Sequence, residues 1–248
     1  MNEIVIVVTG AAPLHPRAIA CIPDRAIVIA ADGALDHALA AGIRPAALVG
    51  DLDSISPEGA AWAEANATIQ RHPPDKVHTD TELALATAVD LNPARLVLVS
   101  GGGDRLDHTF AAIGALGHPS LTSIPTIDGW WGAQQVTVIH GPGRGRLRPP
   151  RGTTISALAL HGPCRGVSIT GVRWPLVDAD VAPMIGLGIS NETTDDEVEF
   201  ALASGVLTVF INDVFINDVF INDESVDDPT RPSTRPLHQP PTNPPEAT

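Results

Sequence analysis

Aspartates recur where a metal-dependent phosphate site would need them. Asp51 and Asp53 flank Leu52 in Gly50-Asp51-Leu52-Asp53-Ser54, and alternate residues of an extended segment put both carboxylates on one side. Asp32 precedes Gly33, Asp104 and Asp107 follow Ser100-Gly101-Gly102-Gly103, and Asp80 opens an apolar stretch. Carboxylates gathered in one crevice repel one another unless a hard cation neutralises them. Mg²⁺ takes oxygen ligands and keeps waters and substrate phosphates in its shell, so the pattern points to a Mg²⁺-phosphate site. Gly101 to Gly103 allow a phosphate to approach the backbone just ahead of a helix N-terminus. Lys76 and Arg105 are the nearest cationic clamps. Plainer readings stand beside these. Asp80 and Glu82 suit helix capping, Asp107 suits an N-cap, and Asp32-Gly33 suits a turn. No P-loop pattern occurs, which excludes the ordinary NTPase fold.

Ligands of an open parallel sheet bind outside the carboxyl ends of its strands, so these aspartates call for strands ahead of them. Such strands are predicted at 4–8, 26–30, 46–49 and 96–99, the first two as continuous apolar runs suited to burial on both faces. Helices are predicted over 35–41, closed by Gly42, from Ser56-Pro57-Glu58, and from about Asp107. Thr79 and Glu82 have capping-box spacing ahead of LALATAVDL, which predicts another helix. Strands alternating with helices predict an α/β unit, a parallel sheet in three layers, over 1–125. After that the periodicity changes. Short strands at 135–139, 154–158, 166–169 and 205–209, separated by Gly and Pro turns, predict a small antiparallel β-sandwich over 126–213. Arg144, Arg146, Arg148 and Arg151 suit either a phosphate patch or a solvated hairpin loop, and the acidic balance of the chain favours the loop. The pentapeptide Val-Phe-Ile-Asn-Asp at 209–213 recurs at 214–218 and 219–223. The remaining tail carries seven prolines, so 214–248 is expected to be a repeat extension and a disordered segment.

Composition narrows the partners. The 248 residues carry 44% apolar and 18% charged side chains, as a globular chain does, with a formal net charge of −14. Such an acidic chain has no general attraction for a phosphate polymer, so nucleic acid is not an expected partner. No stretch approaches the roughly 18 apolar residues a membrane span needs. The N-terminus lacks the basic start of a signal peptide. Cys21 and Cys164 make neither a disulfide framework nor a thiolate metal site, and the expected setting is cytoplasmic.

The motifs, taken in order, resemble the thiamine pyrophosphokinase family. They are Ala31-Asp32-Gly33-Ala34, Gly50 to Ile55, Thr79-Asp80 with Glu82 to Leu85, Gly103 to His108, Gly171 to Leu176, and Gly188 to Glu192. The resemblance covers about residues 1–210. It implies a homodimer that transfers a pyrophosphoryl group from ATP to the hydroxyl of thiamine, giving thiamine diphosphate and AMP. It further implies Mg²⁺ ligands at Asp51, Asp53 and Asp80, with Asp32 close by. Asp107, Asp80, Lys76 and Arg105 are the catalytic set it suggests, Asp107 lying near the thiamine hydroxyl. Gly33, Ser54, Thr79, Gly102, Gly103, His108, Ser190 and Asn191 join Asp32 in the binding set. Trp174 is implied to lie against the thiamine rings across the dimer interface. Two departures stand out. Val77 replaces a carboxylate that the family commonly carries after Lys76, with Asp75 nearby, and Leu187 stands where an arginine often precedes Gly188. Two other readings remain: a weakened relative that binds thiamine or nucleotide as a regulatory module, and a metal-dependent phosphohydrolase.

Overall fold

Ile4–Thr9 (β1) is buried along nearly its whole length, as a central strand covered on both faces must be. The computed structural model describes residues 4–103 and 105–212. The tandem copies at 214–223, the proline-rich tail and Asp104 lie outside them. β1 pairs in parallel with Ile27–Ala31 (β2) on one side and Arg95–Ser100 (β5) on the other. Ala47–Gly50 (β3) and Thr68–Arg71 (β4) continue outward from β2. Thr126–Trp131 (β6) extends the parallel array beyond β5. The strand order therefore reverses between β1 and β5, which opens a crevice at their carboxyl ends.

Among the described residues, the helices Ala34–Ala40 (α2), Pro57–Asn66 (α3), Asp80–Asp90 (α4) and Leu106–Leu116 (α5) pack on this array, after the short Pro16–Ala20 (α1). The expected signals set their ends. Ser56 accepts from the Gly59 N–H as N-cap of α3, and Thr79 and Glu82 form a complete capping box at α4. α4 buries Ala84, Leu85 and Ala88 against β1, β2 and β3, and its small side chains bring the Asp80 end close to the strand tips.

The antiparallel part follows. Gln134–His140 (β7) pairs with β6, and Val206–Ile211 (β14), Thr154–Leu158 (β9) and Gly188–Glu192 (β12) complete a sheet of ten strands. A second sheet holds Leu176–Val181 (β11), Cys164–Thr170 (β10), Val198–Leu202 (β13) and Gly143–Leu147 (β8), in that order. The two face each other across Ile139, Ile155, Val167, Phe200 and Val209. That core is continuous with Ile6, Val8 and Val28 of the parallel half. An α/β catalytic domain with a parallel sheet is thus followed by a small antiparallel β domain, and the larger sheet runs through both.

One expectation is corrected. Arg144 and Arg146 lie on strand β8 rather than in a hairpin loop. Arg146 pairs with Glu199 at 3.2 Å, Arg148 with Glu197 at 2.9 Å and Arg151 with Asp196 at 2.7 Å, so these arginines lace strand to acidic neighbour. No helix among the described residues is long and apolar enough to cross a membrane.

Candidate active site

Three carboxylates meet at the carboxyl ends of the central strands. Asp32 follows β2, Asp51 follows β3, and Asp80 opens α4. One oxygen from each lies within 4.8 Å of the others. Asp32 has a left-handed backbone (φ 46°), a conformation aspartate tolerates, which ends β2 and starts the turn into α2. A Cβ on Gly33 would come within 2.9 Å of the Ser54 carbonyl oxygen, so the loops after β2 and β3 touch at a residue without a side chain. The far end of the 51–55 loop is tied down by Asp36, which accepts from both the N–H and the hydroxyl of Ser56 at 2.8 Å.

Asp51 and Asp53 do not share one side of an extended segment. Leu52 between them is left-handed (φ 68°), which turns Asp51 inward and leaves Asp53 exposed. The Ser54 hydroxyl donates to Asp53 at 2.8 Å, and the Asp53 N–H to Asp51 Oδ1 at 3.4 Å. Asp53 stands outside the three-carboxylate cluster.

Lys76, the chain's single lysine, bridges the cluster: Nζ lies 2.7 Å from Asp51 Oδ2 and 2.9 Å from Asp80 Oδ1. Its hydrogen bond holds the Asp51 carboxyl below the usual carboxylate range. Burial works against the charge on Lys76, but the bonds to Asp51 and Asp80 outweigh it and raise its pKa. Asp32 moves the other way. Burial pushes its carboxyl up, and the charges of Asp80, Asp51 and Asp53 add to this against a bond from the Gly33 N–H. Asp32 Oδ1 is buried without a hydrogen-bond partner among the described residues. A buried anionic oxygen with no donor, beside two further carboxylates, is what a divalent cation would satisfy; the donor set is all oxygen, as Mg²⁺ prefers. Val77 points away and is almost wholly exposed, as are Asp75, His78 and Thr79 in part or whole.

The glycine run divides its work. A Cβ on Gly101 would lie 2.3 Å from the Pro13 carbonyl oxygen, so this residue is packed against the loop after β1. Gly102 (φ 82°) and Gly103 (φ 151°) take backbone conformations that disfavour side chains, and a Cβ on either would meet no atom closer than 3.9 Å. α5 begins directly afterwards, and Arg105 supplies no side-chain cap. Instead Arg105 grips Asp107 with two bonds, from Nε at 3.0 Å and Nη2 at 2.7 Å, which hold the exposed Asp107 carboxyl far below the usual range. His108 is exposed beside them.

Trp174 is 56% exposed, so it is not a core residue; the buried tryptophan is Trp130. The Arg173 guanidinium lies 4.9 Å from its ring centroid. Ser190 is exposed on β12, and Asn191 beside it is buried with its side chain turned to the Trp174 backbone.

Two domain models cover most of the chain. Residues 20–127 match "Thiamin pyrophosphokinase, catalytic domain", and residues 143–207 match its "vitamin B1 binding domain". The chain belongs to the thiamin pyrophosphokinase family. The thiamine pyrophosphokinase of Bacillus subtilis is 27% identical over 211 residues, spanning 84% of this chain and 97% of that protein. Its crystal structure superposes with a TM-score of 0.72, covering 84% and 98% of the two chains at 24% identity. A thiamin pyrophosphokinase from Geobacillus thermodenitrificans gives a TM-score of 0.70 at 26% identity, covering 84% and 96%. The yeast enzyme shares the fold at 14% identity, with a TM-score of 0.69 over 88% and 87% of the chains. The cluster of Asp32, Asp51, Asp80 and Lys76 lies in the part matched to the family's catalytic domain, and Trp174 and Asn191 in the part matched to its vitamin-binding domain. Asp36, which anchors the 51–55 loop, carries no sequence signal of that role: it lies in the first turn of α2, where an acid suits any helix N-terminus.

Proposed function

We propose that this chain transfers a pyrophosphoryl group from ATP to the hydroxyl of thiamine, releasing AMP. The observation that carries this is the meeting of Asp32, Asp51 and Asp80 at the strand tips, with the partnerless oxygen of Asp32 among them. These three residues would hold Mg²⁺. When bound, the ion supplies charge neutralisation to the triphosphate, the dominant need of phosphoryl transfer. Lys76 adds a cation at the same place, and the backbone of Gly102 and Gly103 ahead of α5 offers room for phosphate oxygens. The thiamine oxygen bonds to the β-phosphorus while the bridging oxygen leaves with AMP. Asp107 accepts the hydroxyl proton. Arg105 keeps it ionised but weakly basic, which suits a proton given up late, after the new bond has made it acidic.

Trp174 offers an exposed flat face to the thiamine rings. The active form is a homodimer with its sites at the subunit interface, set in the cytoplasm, where Cys21 and Cys164 remain free thiols. Six large apolar side chains between 174 and 189 are exposed: Trp174, Val177, Met184, Ile185, Leu187 and Ile189. They lie on or beside β11 and β12, the edge strands of the two sheets, and a partner subunit would cover them.

The exposed Val77 favours a second reading, a relative that binds the same ligands and turns over slowly. One assay separates the two: purified protein incubated with thiamine, ATP and Mg²⁺ should yield thiamine diphosphate and AMP in equal amounts. Binding without turnover would support the second reading. ADP or free phosphate as the main product would reject the first.

A further inference from the structure

Asn191 is 6% exposed, and its amide is engaged with the Trp174 backbone on both sides and with the next N–H of its own strand. Oδ1 accepts from the Trp174 N–H at 3.1 Å and from the Glu192 N–H at 3.0 Å, while Nδ2 donates to the Trp174 carbonyl at 2.8 Å. Just upstream the two segments are joined by backbone. Val172 bridges Thr193, and the Arg173 N–H donates to the Glu192 carbonyl at 2.9 Å. At Trp174 that backbone pairing stops, and Pro175, which has no N–H, follows. The Asn191 side chain takes over as the partner of the Trp174 backbone at the point where the strand partner runs out. Meanwhile Arg173 covers the ring at 4.9 Å and is itself held by Glu192 at 3.3 Å. Trp174 is thus fixed at its root and, with Arg173 over one face, still 56% exposed.

We infer that Asn191 is a positioning residue, one that sets the pose of the Trp174 ring instead of contacting thiamine. Both acceptor directions of Oδ1 are taken and Nδ2 is bound to the Trp174 carbonyl, so the buried amide has little left to offer a ligand. The inference rests on the reading of Trp174 as the platform for the thiamine rings. Its consequence is specific. Losing Asn191 harms thiamine binding only as far as the ring contributes to it.

A double-mutant cycle on the full chain tests this, with thiamine and ATP KM read separately. Asn191→Asp keeps the volume and Oδ1 but sets an anionic oxygen against the Trp174 carbonyl. Asn191→Ser, which vacates the contact without adding charge, replaces it should that variant not accumulate folded. Trp174→Ala should raise the thiamine KM about tenfold, the scale of one desolvated ring contact. Either Asn191 variant should raise it by a similar or smaller factor, with the ATP KM unchanged. In the double variant the thiamine KM should equal that of Trp174→Ala alone. Factors that multiply in the double variant would mean that Asn191 touches thiamine itself, and would overturn the inference. So would an unchanged thiamine KM in both Asn191 variants when Trp174→Ala has a large effect. An unchanged KM in Trp174→Ala removes the underlying reading instead, and the inference with it.

Discussion

Gly50 and Asp80 approach so closely that a side chain on Gly50 has nowhere to go: its Cβ would lie 2.9 Å from Asp80 Oδ1. The same atom would lie 3.0 Å from the Asp32 Cβ, so Gly50 lets the tips of β2 and β3 and the start of α4 converge. Gly50→Ala should therefore spread the carboxylates while leaving the core intact. Turnover should fall at least about tenfold, the cost of misplacing a positioned group by a fraction of an ångström. Far-UV circular dichroism should match wild type. Full activity in this variant would show that the convergence is not needed.

Charge removal tests the same cluster more directly. Asp51→Asn and Asp80→Asn should each lower turnover about 100-fold, the loss expected for one electrostatic stabiliser. Asp53→Asn, outside the cluster and exposed, should cost less than either. Steady-state rates across a Mg²⁺ titration give the ranking. If Asp53→Asn proves as damaging as Asp51→Asn, Asp53 turns inward in the working enzyme.

The strand tips were legible because their signals are local. The apolar runs of β1 and β2, the Pro57 helix start and the Thr79 capping box each act over a few residues, and the structure keeps them all. Strand β8 was not legible. Its sequence, Gly-Arg-Gly-Arg-Leu, shows no apolar alternation because its inner face is filled from elsewhere. A Cβ on Gly145 would lie 2.6 Å from Ile139 Cδ1, so glycine makes way for the β7 side chain. The turn at Leu52 was hidden too. Leucine gives no hint of a left-handed backbone, and that one dihedral decides which of Asp51 and Asp53 enters the cluster.

Asp32 should exchange stability for function. Its raised pKa means that the folded chain prefers it protonated, so the ionised form costs stability above that pKa. Asp32→Asn keeps the shape, and asparagine tolerates the left-handed backbone. At neutral pH without divalent metal it should melt later, by about 1 kcal/mol of added stability. The advantage should shrink as pH falls through the raised Asp32 pKa, where wild type protonates and sheds the penalty. The Asp51 contribution is present above the unfolded carboxylate range and lost as pH falls through its depressed pKa. It acts equally in both proteins and cancels. Activity should be lost. A variant less stable than wild type at neutral pH would mean that the Asp32 charge is already compensated in the free protein.

At the junction of the two sheet halves lies a buried ion pair. Asp128 on β6 is 2% exposed; it accepts from Arg95 Nε at 2.8 Å and from the Thr137 hydroxyl, joining β5, β6 and β7. Arg95→Leu would leave that carboxylate charged and buried without its cation. The expected loss is about 3–5 kcal/mol, the scale of breaking a buried pair from one side. Replacing both partners, Arg95→Leu with Asp128→Leu, should recover part of it. Urea denaturation of the three proteins measures the difference. Equal stability for the single and double variants would mean that the charge is not what destabilises the single one.

The end of the described chain sets the last expectation. β14 is no edge: Phe210 pairs with Val136 of β7 and Ser156 of β9, and Ile211 with Gln135 and Ile155. Ile211 is 1% exposed and Val209 fully buried. Asn212 closes the strand, its N–H donating to the Thr154 carbonyl at 2.9 Å and its Oδ1 accepting from Gln134 at 2.6 Å. Every proposed site residue lies upstream. Truncation after Asp213 removes the two further pentapeptide copies and the tail but no contact described in the fold. It should therefore leave folding, association and turnover within about twofold of the full chain. Truncation after Val209 takes away two inner-sheet positions and should unfold the β domain. Size-exclusion chromatography and the thiamine diphosphate assay on both products decide the matter. Loss of soluble protein in the longer one would show that the copies are structural.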